Sequence, residues 1–435
     1  MLQVKAIFAL LFRVLLIAVC GFAAPRSIRT AVADWLMSAG TLDGFERANR
    51  FAPDDARLLA RWAVYRSNND DPSPAVDEDL RRAARLNPFD SAVLMTLGLR
   101  EEFRGNTIEA ERYLVRAAEI DRQFKPAWTL ANYYYRANQP EKGWPMIQRI
   151  LSLEPLGFDP SPVFELCWRQ VADLQATDNQ ATGNQKTADQ VAASRKILGL
   201  IPKRGHKPVQ YLEFLIGSHR ADAAVDAWPE ALAAADRADP SDISTLTGLV
   251  DFLADADRLE EAITVWNQLV ERGIIHSGPL APAKGVSIAD PDFKFEPLAK
   301  VFGWRVADVP GVFASGFSGS VRFEITGDEP QSFQFLSTLG PVLSDTPYRL
   351  RWKSDGSSLT SPDDPGFSFR IVMQPGGLVT QCPPLLSAGN SGSCDFVTLA
   401  ETRKVRIELG YARALGTKLA TGVLQLFNVR LELAR

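Results

Sequence analysis

Residues 94–126 read LMTLGLREEFRGNTIEAERYLVRAAEIDRQFKP. Leu94, Leu97 and Gly98, and then Ala110, Leu114 and Ala117, recur at steps of three and four. That is the spacing of one face of an α-helix. It predicts two short amphipathic helices that turn at Arg104-Gly105-Asn106. Large residues stand where facing helices must fill space. Gly98, Ala110 and Ala117 stand where their backbones must approach closely.

The arrangement recurs. Downstream, Trp128-x2-Ala131-Asn132-x2-Tyr135 precedes Gly143-x3-Ile147-x2-Ile150 and Pro155. Upstream, Leu59-x2-Trp62-Ala63 leads to Leu80-x2-Ala83 and Pro88, and Phe45-x2-Ala48 to Pro53. The closing positions 53, 88, 122 and 155 are separated by 35, 34 and 33 residues. This resembles the tetratricopeptide repeat, with its pattern W-x2-L-G-x2-Y, A-x3-F, P and a period of about 34 residues. Glu101 stands in the place of the tyrosine and Arg122 in that of the proline. Further echoes are Leu246-x2-Leu249 with Ala262-x3-Trp266-x2-Leu269, and Tyr211-x2-Phe214 with Trp228-x3-Leu232-x2-Ala235 and Pro240.

The resemblance implies an α-solenoid of helix pairs over residues 28–273. Its concave side, lined by the first helix of each pair, would take a protein partner as an extended peptide or a helix. On that side, one step round from the Trp128/Tyr135 face, stand the candidate contacts Glu102, Tyr133 and Arg136. A polar stretch near residues 176–187, between helices expected at Val163–Leu174 and Ala188–Leu198, reads as an insertion in the array.

Residues 1–24 form an apolar leader behind Lys5. Ala6–Ala24 approaches the ~20 residues of a membrane-spanning helix, with Arg13 as its cost. An uncleaved membrane anchor is the favoured reading. A signal cleaved at Gly21-Phe22-Ala23 and a lipoprotein modified at Cys20 are the alternatives. Each carries the rest of the chain out of the cytoplasm, and the first gives a cell-membrane protein with a single N-terminal span and its bulk periplasmic or extracellular.

After a linker at residues 274–285, helical spacing yields to period-two alternation. Val321, Phe323 and Ile325 alternate with Arg322 and Glu324. Tyr348, Leu350 and Trp352 alternate with Arg349, Arg351 and Lys353. The sets Phe367–Met373, Val405–Tyr411 and Phe427–Leu433 follow. One buried and one solvated face across residues 286–435 predicts an antiparallel β-sandwich. Phe427-Asn428-Val429-Arg430-Leu431 and Phe302-Gly303-Trp304-Arg305 resemble strands of jelly-roll carbohydrate-binding modules. That resemblance makes Trp304 and Trp352 candidate glycan contacts, with core positions as the competing reading. The row Arg349, Arg351 and Lys353 is a candidate to meet acidic glycans.

Cys382 and Cys394 flank a Pro- and Gly/Ser-rich loop and are predicted to form a disulfide, contributing roughly 3 kcal/mol in the chain-entropy model. Such a bond fits an oxidising compartment. Cys167 falls on an apolar helical face and reads as a core thiol. His206, His219 and His276 are scattered, and no spacing marks a catalytic, metal or cofactor site. Acidic pairs such as Glu101-Glu102 and Glu260-Glu261 read as solvated helix faces. The net charge of -4, without basic runs, excludes a nucleic-acid footprint. The expectation is a non-enzymatic scaffold, anchored outside the cytoplasm, that binds a protein partner in envelope polysaccharide assembly or export. The alternative is a carbohydrate-binding protein with the solenoid as spacer.

Overall fold

The structure, a computed structural model, describes residues 21, 24–25, 27–53, 55–69, 71–153, 158–176, 183–203, 205–360, 366–385, 391–413, 416 and 419–434. The chain divides into two compact units, Met1–Asp178 and Asn179–Arg435. A helical repeat region is followed by antiparallel β-sheets.

The first unit runs through α1 (residues 27–38), α2 (Leu42–Phe51), α3 (Ala56–Asn68), α4 (Pro74–Leu86), α5 (Ser91–Phe103), α6 (Thr107–Ile120), α7 (Phe124–Arg136), α8 (Pro140–Leu151) and α9 (Ser161–Ala176). Short polar side chains start several of them. Thr41, Asp55, Ser73 and Asp90 each accept a hydrogen bond from a backbone N–H that the first turn leaves unpaired. Gly105, at φ 81°, supplies the turn between α5 and α6. The close approach expected at Gly98 is present, since a Cβ there would come 2.6 Å from Leu114 Cγ.

In α7 the inward face is one residue earlier than the sequence pattern suggested. Ala127, Leu130, Ala131 and Tyr134 are buried, whereas Trp128 and Tyr135 are only partly covered. The repeat therefore reads Ala127-x2-Leu130-Ala131-x2-Tyr134, followed by the buried Gly143, Ile147 and Ile150 of α8.

The second unit opens with α10 (Gly183–Leu198), α11 (Lys207–Gly217), α12 (Ala221–Ala234), α13 (Pro240–Asp255) and α14 (Leu259–Glu271). Helical backbone thus begins at Gly183, ahead of the expected Ala188, and residues 177–182 of the expected insertion lie outside the described residues. The segment read as a linker is held down: Asn267 bonds both the N–H and the C=O of Leu280, and Trp266 Nε1 donates to Gly278 O at 3.0 Å.

The strands are β1 (Arg305–Val306), β2 (Val312–Ser315), β3 (Val321–Ile325), β4 (Ser332–Pro341), β5 (Pro347–Asp355), β6 (Phe367–Gln374), β7 (Val379–Pro384), β8 (Ser391–Val397), β9 (Lys404–Ala412) and β10 (Gly422–Leu433). They form two five-stranded sheets, in the orders β1-β4-β9-β6-β7 and β2-β3-β10-β5-β8. One hydrophobic core draws on both, with Phe323 of β3 edge-on to Phe335 of β4 at 4.7 Å between ring centroids.

The apolar leader lies almost wholly outside the described residues, as do Cys20 and Pro155. Among the described residues, no helix is long and apolar enough to cross a membrane.

Candidate functional site

The first helices of successive pairs touch, α3 against α5 and α5 against α7. Between α3 and α5 lie two cavities that both reach Asn68, one of about 610 Å³ and one of about 280 Å³. The larger is bounded by Thr96, Leu99 and Phe103 of α5, by Ser67 of α3 and by Pro72 of the following turn, with Arg100 and Arg104 at its side. Arg61, Val64 and Tyr65 of α3 and Ala92 of α5 border the smaller. Phe103 is 94% exposed and Leu99 42% exposed. They are one helical turn apart on α5, and their apolar surface has no partner among the buried clusters.

Both residues are out of phase with the Leu94/Leu97/Gly98 face. An apolar pair at i and i+4 on the wrong side of an amphipathic helix was the available signal for this groove.

The predicted trio divides. Glu102 and Arg136 meet across one repeat in a two-pronged ion pair, Arg136 Nε to Glu102 Oε1 and Arg136 Nη2 to Glu102 Oε2, both 2.8 Å. Tyr133 does not enter the groove. It is 2% exposed, its hydroxyl donates to Thr107 O at 2.9 Å, and burial raises its pKa. The one-residue register of α7 explains this, because Tyr133 borders the inward face set by Leu130 and Tyr134.

Beside the groove lies a polar core. Glu101, expected on a solvated face, is buried in the place of the repeat's tyrosine. It accepts from Asn106 at 2.7 Å, from Arg81 at 3.0 Å and from Arg104 at 3.2 Å. Its neighbour Asp77 of α4 accepts from Arg100 Nε at 2.7 Å and also from Arg104. Burial opposes the charge on Asp77, but the hydrogen bonds from Arg100 and Arg104 outweigh it, so its pKa is lowered. For Glu101 the Asn106 hydrogen bond leads the lowering, against burial, with Arg81 and Arg104 adding to it. The groove wall thus stands on charges that are already satisfied.

The β-sheets place the predicted glycan contacts elsewhere. Trp304 is 4% exposed and donates through Nε1 to Asp290 O at 2.7 Å. Trp352 is 3% exposed, donates to Leu385 O, and lies against the backbone of Gly392, where a Cβ would come 2.3 Å from its ring. Both are core residues with no face left for a sugar ring. The basic row is likewise occupied: Arg349 pairs with Asp395, Arg351 with Glu432, and Lys353 lies over the ring of Phe427.

Cys382 and Cys394 are joined, with their Cα atoms 5.4 Å apart. Cys382 is on β7 and Cys394 on β8, the end strands of the two different sheets. The bond therefore ties sheet to sheet as well as closing a loop. Cys167 is buried as expected, and burial pushes its thiol up to about 12.

His206 is not isolated. Its Nδ1 lies 3.1 Å from Asp242 Oδ2 and 3.7 Å from Asp239 Oδ2. This is the one His-carboxylate group among the described residues with a cation's donor spacing. Its carboxylates have structural work already, since Asp242 Oδ2 accepts from Asp236 N and Asp239 Oδ1 caps Ser241 N. The hydrogen bond to Asp242 raises the His206 pKa, and the group acts as a joint between the starts of α11 and α13.

No family model matches the chain, and no curated protein matches it. Among solved structures, it is similar to YrrB, described as a TPR protein with an unusual peptide-binding site, at 13% identity over 52% of this chain and 91% of that one, TM-score 0.24. It is similar to human IFIT1, solved as a dimer with m7Gppp-AAAA, at 15% identity over 59% of this chain and 76% of that one, TM-score 0.31. A third is Pseudomonas aeruginosa PilF, at 14% identity over 58% and 93%, TM-score 0.22. The helix-pair repeat is seen in this chain's own packing of α3 on α4, α5 on α6 and α7 on α8.

Proposed function

We propose that this protein is a non-enzymatic scaffold that holds an extended segment of a protein partner in the groove between α3 and α5. The carrying observation is Phe103, almost fully exposed beside Leu99 on the rim of a 610 Å³ cavity. A monomer's surface gains nothing from such a pair, whereas aromatic side chains dominate binding hot spots. The tetratricopeptide-like reading of the repeat agrees with a peptide occupant. The glycan alternative loses its two tryptophans to the core.

Peptides selected from a random library on the immobilised full chain should bear an apolar anchor. Affinity should fall about thirtyfold in Phe103→Ala/Leu99→Ala, the equivalent of roughly 2 kcal/mol. Exposed substitutions usually shift stability by within ~0.5 kcal/mol, so the variant stays folded. Unchanged affinity in a variant with a wild-type melting curve rejects the groove.

Membrane attachment rests on the Ala6–Ala24 run, and a place outside the cytoplasm on that run together with the Cys382–Cys394 bond. The protein is expected to stay with membranes through a high-salt wash, and a mature form beginning near Ala24 would instead show a cleaved signal. A place in polysaccharide export now rests on analogy only.

A further inference from the structure

On the second helices the charges are arranged differently. Arg81 and Arg85 stand four apart on α4, and Arg112 and Arg116 four apart on α6. All four line one cleft of about 430 Å³. Its floor is apolar, with Ala84, Leu94 and Tyr113. Like charges four apart on a helix repel, and two such pairs facing one cleft compound the effect. In a chain of net charge -4 this is not a general basic background.

The cations are incompletely matched from within. Arg85 has no ion pair among the described residues. Arg112 and Arg116 hold Glu109 and Glu119 on their own helix, in exposed pairs of the weak, exchangeable kind. Arg81 shares Glu101 with Arg104. Arg112 also lies 5.0 Å from the centre of the Tyr113 ring, and among the described residues its N–H edge meets only the exposed Glu109, which an incoming carboxylate can displace.

Spacing points to the occupant. Residues four apart on a helix are displaced by about 6 Å along its axis. In an extended peptide, side chains on one side recur every ~6.6 Å, and successive side chains point to opposite sides. We propose that this cleft binds an extended run of at least four consecutive Asp or Glu residues in a protein partner. Alternate carboxylates reach the α4 pair and the α6 pair, and the backbone between them lies over Leu94 and Tyr113. The two sites share α5, but the four arginines stand on α4 and α6 and none of them borders the Phe103 groove, so either can fail without the other.

The test is fluorescence anisotropy of a labelled peptide with four consecutive glutamates, titrated with the full-length chain. Saturable binding that weakens steeply with salt is expected. Arg85→Glu/Arg116→Glu should lose at least tenfold in affinity while keeping the wild-type melting curve. If that pair does not fold, Arg85→Gln/Arg112→Gln replaces it, with a loss of severalfold expected. Unchanged binding in a folded variant overturns the site. Equal binding of a peptide whose four glutamates are separated by glycines overturns the spacing argument. Competition by inorganic pyrophosphate at the peptide's own concentration range overturns the peptide in favour of a small phosphate ligand.

Discussion

Asp77 lies on α4 with its side chain 6% exposed, and Arg100 and Arg104 both converge on it from α5 and the turn that follows. Removing one partner of a buried pair strands the other charge, at a cost of about 3–5 kcal/mol. Asp77→Ala is therefore expected to destabilise the first unit by about 3 kcal/mol in urea or thermal melts. Joint replacement of Asp77 and Arg100 by Leu and Met should restore most of that. A lowered carboxylate pKa contributes stability that is full above the unfolded value, near 4, and is lost as pH falls through the folded value. Asp77 and Glu101 are both lowered. Wild type should thus lose stability in acid, and the Asp77→Ala deficit should shrink there. An equal deficit at pH 7 and pH 3 would separate the destabilisation from the ion pairs. None of this could be read from Glu101 as a letter in a pattern, because its burial depends on Asn106 and on arginines from two other segments.

At the scale of elements, legibility followed periodicity. The expected strands around Val321, Tyr348, Phe367 and Val405 are β3, β5, β6 and β9, with those residues buried. The last expected strand is half right. In β10, Leu424 and Leu426 point inward, and the pairing with β5 then slips between Leu426 and Asn428. Phe427 is the extra residue, so the inward face resumes at Val429 and Leu431. A β-bulge moves every later side chain to the other face, and no alternation rule anticipates it. β4 lacks a clean alternation for the same reason, since its pairing with β9 slips between Gln334 and Leu336. Along α7 a one-residue error of the same sort turned the buried Tyr133 into a candidate contact. A helix whose neighbouring turns both carry aromatics offers two plausible faces, and only packing chooses between them.

For the molecule as a whole, the order of helical repeats before antiparallel sheets was legible because the apolar spacing changes near residue 273. What the segment at residues 274–285 does was not. Its Gly, Pro and Ser read as slack, yet Asn267 and Trp266 of α14 hold its backbone, and Lys404 of β9 donates to Ala254 O of α13. The candidate binding surfaces were legible only in part. A groove is made by residues that break a pattern, such as Phe103, and a cleft by charges from two helices 31 residues apart at Arg81 and Arg112. Both are visible only once the helices are stacked.

The bond between β7 and β8 has a mechanical side. Cys382 and Cys394 are 12 residues apart, and the chain between them cannot lengthen while they are joined. If the two ends of this protein are drawn apart, between a surface and whatever it holds, that stretch is removed from the path of the force. An extended chain spans at most ~3.6 Å per residue, so about 40 Å of slack stays locked. In single-molecule pulling, the fully extended oxidised protein should be shorter than the reduced one by that length. Identical contour lengths would mean that the two thiols are not joined in the protein under load.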